Sequence, residues 1–92
     1  MNIGRTIKGL RIENGLTQME LAGKIGMAQT SLSQLEAGHK KPHENNLRLI
    51  CKEFKISLAG IYVISIEESD INDKNKKELY KTIQPLLIKI FS

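Results

Sequence analysis

QMELAGKIGMAQTSLSQLEA, residues 18–37, places apolar side chains at helical intervals on both sides of a glycine. Leu21, Ala22 and Ile25 share one face of the first segment, and Leu32 and Leu35 share one face of the second. Ala22 is small enough to let a neighbouring helix approach, and Gly26 can take the positive φ that a tight turn requires. Met27 adds apolar cover just after the turn. The pattern predicts two short helices joined by a tight turn and crossing steeply. Just upstream, Thr17 and Glu20 have capping-box spacing: the threonine oxygen can accept from the Glu20 N–H while the carboxylate returns to the Thr17 N–H.

Further helices flank this pair. Ile3, Ile7 and Leu10 fall at helical spacing, and Asn14-Gly15 supplies a stop. After Gly38, His39-Lys40-Lys41-Pro42 reads as a loop, because proline disfavours helix at the residue before it. Leu47, Ile50, Cys51 and Phe54 then recur at i, i+3, i+4 and i+7, and Ser57 can cap a short helix carrying Leu58 and Ile61. Ile61 to Ile66 is almost unbroken β-branched and aromatic sequence, so an extended segment is expected after that helix. Glu67 to Lys77 reads as a polar linker leading to a helix start near Asp73. The expected architecture is all-α, a five-helix bundle over residues 1–63 followed by a linker and an additional C-terminal helix over 64–92. The expected core is Ile7, Leu10, Leu21, Ile25, Leu32, Leu35, Leu47, Ile50 and Phe54.

The last helix has its own apolar face. Leu79, Ile83, Leu86 and Ile90 are spaced four, three and four, which as a heptad puts isoleucine at a and leucine at d, a choice that suits two strands. Tyr80, Leu87 and Phe91 widen the stripe, and Pro85 removes one helix hydrogen bond. Leu79, Ile83, Leu86, Leu87 and Ile90 are therefore expected to form a dimerisation element, an exchanged helix or a helix pair. The alternatives are a protein partner on this stripe or a sixth helix folded back on its own domain.

Composition narrows the function. The 92 residues suffice for one small domain with a modest core, which disfavours a deep catalytic cleft. Residues 1–63 hold nine basic and five acidic side chains and residues 64–92 hold five of each, so the whole net charge of +4 lies on the N-terminal part. A basic surface of this kind suits a polyanion. No apolar run is long enough to span a membrane, and Met1 to Arg5 lacks the apolar stretch of a secretory signal. The single cysteine, Cys51, cannot form an internal disulfide, which fits the cytoplasm. Cys51 also sits at a core position, and His39 and His43 flank a loop with no cysteine partner, so no metal site is expected. No catalytic set or phosphate loop is recognisable; the reading is of a binding protein, not an enzyme, with no cofactor.

The second helix of the pair carries the binding chemistry. At about 100° per residue, Gln29, Thr30, Ser33 and Gln34 spread over roughly 140° of its outer face, opposite Leu32 and Leu35. Glutamine can pair with adenine N6 and N7, serine and threonine can donate or accept, and the threonine methyl can meet that of thymine. No acidic residue lies on this face. The expected partner is double-stranded DNA, read through the major groove.

Residues 3–61 resemble the Cro and lambda-repressor type helix-turn-helix family, also called XRE-like, through GLTQMELA (15–22), KIGMAQTSLSQLEAG (24–38), KKP (40–42) and KISLAGI (55–61). The resemblance implies a lambda-repressor-like five-helix bundle acting as a transcriptional regulator, a repressor bound as a homodimer to a palindromic operator, from a bacterium or phage. It maps base contacts onto Gln29, Thr30, Ser33 and Gln34. Phosphate contacts fall on Gln18, whose helix N-terminus favours an anion, and on Lys40 and Lys41. It also implies a structural ion pair between Arg11 and Glu36. This chain departs from the family pattern at Ala28, often Ser or Thr, and at Ala37, often Asn. Two other classes remain open: an antitoxin-like adaptor that binds DNA and a protein partner, and an interaction module that keeps the bundle without binding DNA.

Overall fold

Asn2 starts the first helix by accepting from the backbone N–H of Arg5 through its side-chain oxygen, at 2.9 Å. From there the computed structural model describes residues 1–67 together with 78, 81, 82, 84, 85 and 88. Five helices follow in order: α1 (Ile3–Glu13), α2 (Gln18–Ile25), α3 (Gln29–Glu36), α4 (Glu44–Phe54) and α5 (Leu58–Ile64). Among the described residues there is no strand, as the all-α reading requires.

The capping box at Thr17 forms in both directions, with bonds of 3.0 and 3.1 Å. The Thr17 backbone N–H, and then its hydroxyl, hold the Glu20 carboxyl below the usual carboxylate range. This cap is complete above that range and is lost only as the pH falls through the lowered value. At the other end of α2, Gly26 takes φ +67°, and its N–H closes on the Ala22 carbonyl. The chain thus reverses into α3 within three residues.

The core gathers Ile7 from α1, Leu21, Ala22 and Ile25 from α2, Leu32 from α3, Leu47, Ile50 and Cys51 from α4, and Ile61 from α5. Leu10 and Phe54 pack against it half-buried. Burial pushes the Cys51 thiol up, against a smaller opposing pull from Arg48, so it stays a neutral core side chain. Helix α3 rests on α1 as well as on α2. A Cβ at Gly4 would fall on the Leu35 carbonyl oxygen, so the absence of a side chain there sets how closely α1 lies against the end of α3.

The extended segment expected over Ile61–Ile66 is instead helix: α5 continues to Ile64. Ser57 holds its start by accepting from the Gly60 N–H at 2.9 Å, and Ile61 is fully buried. Ser65 holds its end. Its N–H reaches the Ile61 and Tyr62 carbonyls, and its buried hydroxyl donates 2.6 Å to the Ile61 carbonyl. Its own carbonyl accepts from the Asn2 N–H at 3.0 Å, joining the two ends of the bundle. Capping and burial outweigh the β preference of isoleucine, valine and tyrosine here.

Beyond Glu67, the described Glu78, Lys81, Thr82, Gln84, Pro85 and Ile88 are helical and exposed. Leu79, Ile83, Leu86, Leu87 and Ile90, on which the dimerisation expectation rests, lie outside the described residues, as does most of the expected linker.

Candidate nucleic-acid interface

Helix α3 is held from beneath and open above. Leu32 is 0% and Leu35 3% exposed, and Glu36 is buried beside them. On the outer side Gln29, Thr30 and Gln34 are exposed and Ser33 is half-buried. The structure thus brings the four predicted base-contact residues onto one side of one helix. Ala28 opens the helix without a side-chain cap bond. The first N–H groups of α3 are therefore uncapped at the end nearest Gln29.

The floor under α3 is an ionic network. Arg11 Nε donates to Glu36 Oε2 at 2.7 Å and its Nη2 donates to Glu36 Oε1 at 3.0 Å, a two-pronged pairing. The third guanidinium nitrogen donates to the Leu16 carbonyl at 2.8 Å. The side chains are 11% and 3% exposed, so Arg11 is spent on α3 and on the α1–α2 turn rather than turned to solvent. Gln18 joins the same cluster: its Nε2 donates to Glu36 Oε1 at 3.1 Å. One carboxylate thereby ties the starts of α2 and α3's last turn to α1. The Gln18 side chain is part of this floor, leaving its backbone N–H at the start of α2 as the group that can face a phosphate. No local sequence signal reports this bond, because it spans eighteen positions between helices.

Lys40 and Lys41 are exposed in the loop between α3 and α4. They border two clefts. One, of about 140 Å³, runs between α3 and the start of α4 and is also lined by Ser31, His43 and Asn46. The other, of about 450 Å³, lies toward Met1, Asn2, Ile3 and Tyr62. Ser31, Asn46 and His43 were not candidates from sequence; they join the lysines only because the loop folds the start of α4 back toward α3. No group of three or more metal-ligating side chains occurs among the described residues, and no described helix is long and apolar enough to cross a membrane.

Comparison with known proteins gives the same motif. The profile of the helix-turn-helix family matches residues 7–61. An immunity repressor protein of Bacillus phage phi105 is 27% identical over 90 residues, covering 94% of this chain and 62% of its own length. The antitoxin PezA of Streptococcus pneumoniae is 37% identical over 59 residues, 64% of this chain and 37% of its own. A competence pilus inhibition repressor of Acinetobacter baylyi is 31% identical over 65 residues, 71% of this chain and 59% of its own. The chain thus spans less than two thirds of the length of each of these relatives. No solved structure matches it.

Proposed function

This chain belongs to the helix-turn-helix family, and from that premise we propose that it is a sequence-specific DNA-binding transcriptional repressor that acts as a homodimer on a palindromic operator. The observation that carries the reading is the division of α3. Its inner side is fixed by Leu32, Leu35 and the Glu36 network, while Gln29, Thr30, Ser33 and Gln34 are presented together on the other. A rigid floor under short amide and hydroxyl side chains is what major-groove readout needs, since paired hydrogen bonds to a base edge tolerate little misplacement. Lys40, Lys41 and the Gln18 backbone N–H flank that face and supply phosphate contacts that fix register. The similarity to two repressors favours repression over activation.

Selection from random duplex DNA tests the reading. A two-fold symmetric consensus should emerge, bound more tightly than random sequence and with an affinity that falls steeply as salt is raised. Recovery of no preferred sequence would refute it.

A second reading is favoured by the 37% identity to an antitoxin. In that case the apolar stripe of residues 79–90 covers a different polypeptide, and the chain is a DNA-binding adaptor. Light scattering separates the two: the repressor is a homodimer when purified alone, whereas the adaptor needs its second polypeptide to cover the stripe.

A further inference from the structure

The chain has two histidines, and both lie in the five-residue loop His39-Lys40-Lys41-Pro42-His43. Both are exposed. His43 caps α4 by backbone position alone, without a side-chain cap bond. The His39 backbone N–H is bonded to the Gln34 carbonyl at 2.9 Å, which fixes the start of the loop against the last turn of α3. Neither imidazole makes a hydrogen bond or ion pair among the described residues, so both are available to a ligand. His43 lines the small cleft with Lys40, Lys41, Ser31 and Asn46.

We propose that His39 and His43 are phosphate-contacting residues that take up protons when duplex DNA binds, so that the DNA affinity of this chain rises as the pH falls through the histidine range. The inference rests on the DNA-binding reading above. Histidine is the side chain whose ordinary charge change lies between pH 5 and 8. A neutral imidazole beside a DNA phosphate adds little, whereas an imidazolium there neutralises it and releases a counterion. The charged groups on neighbouring elements leave this linkage intact. Lys40 and Lys41, between the two histidines, bring no carboxylate to the loop. Glu44, at the start of α4, is paired with Arg48 at 2.8 Å, and Glu36 is buried under Arg11 and Gln18. The strongest new anion at the loop is then the DNA backbone itself.

The test measures anisotropy of a labelled mixed-sequence duplex of about two helical turns with the full chain at about pH 5.5 and about pH 8, at constant ionic strength. Affinity should be roughly two- to fivefold higher per histidine at the lower pH, the range of an exposed charge pair. The salt slope should steepen by about 0.9 per histidine. In the double variant His39→Asn/His43→Asn the affinity should be the same at both pH values, with circular dichroism showing equal helix content. Calorimetry in two buffers of different ionisation enthalpy should find proton uptake in the parent chain and none in the variant. Binding that does not change with pH overturns the proposal and leaves the DNA-binding reading standing. A pH dependence that persists in the double variant also overturns it, placing the proton elsewhere. Absence of binding at both pH values overturns that reading and this proposal together.

Discussion

Glu36 is the residue on which the helix pair turns. It is 8% exposed, yet it accepts from both prongs of Arg11 and from Gln18, so its charge is neutralised and its lone pairs are engaged. Removing it leaves a largely buried guanidinium without a counter-ion. Glu36→Ala should therefore cost about 3–5 kcal/mol in urea melts, far more than an exposed pair such as Arg48–Glu44 could contribute. A loss near zero would mean that the pair gives nothing net to stability. Gly4 makes the opposite kind of demand. Alanine there would gain about 1 kcal/mol of helix propensity but would set its methyl on the Leu35 carbonyl, where backbone rather than a flexible side chain must yield. Gly4→Ala should lower stability by about 1–3 kcal/mol in the same melts, the steric term winning. Stabilisation would mean that α1 can slide off α3 without cost.

At the scale of the helices, α2 and α3 were legible because their signals are local: a capping box, a glycine at positive φ, and apolar residues three and four apart. Helix α5 was less so. Its run of β-branched residues argues for a strand, and only Ser57, Ser65 and the burial of Ile61 make it a helix. The end of α4 was also silent, because the left-handed position that glycine usually takes is filled by Lys55 at φ 55°. The four outer positions of α3 could be named from periodicity alone, whereas the cleft joining Ser31, His43 and Asn46 to the lysines depends on how the 39–43 loop returns the chain. That loop carries its own prediction. Lys40→Ala or Lys41→Ala should weaken binding equally on all duplexes and lower the salt slope by about one, since a phosphate contact carries no sequence information. An unchanged slope would place both lysines in free solvent.

For the whole molecule, the question is what sets two bundles at operator spacing. One half-site gives little discrimination against the rest of a genome, and two reading helices about 34 Å apart remedy this by meeting successive turns of the major groove. Among the described residues the bundle core draws on Ile7 through Ile61, and the apolar stripe that the sequence places over residues 79–90 is the surface we propose for dimerisation. Ile83→Asp with Leu86→Asp should yield a helical monomer by light scattering that binds a palindromic duplex far more weakly. A dimer that persists would move the interface to α5, where Tyr62 and Ile64 are 37% and 38% exposed. Beneath all of this lies the claim that the outer face of α3 reads bases. The most direct measurement compares Gln29→Ala and Gln34→Ala with the parent chain on the selected duplex and on random DNA. The account predicts a loss of about 1–3 kcal/mol on the selected duplex, relaxed preference at one or two base pairs, and little change on random sequence. Equal weakening on both would contradict it.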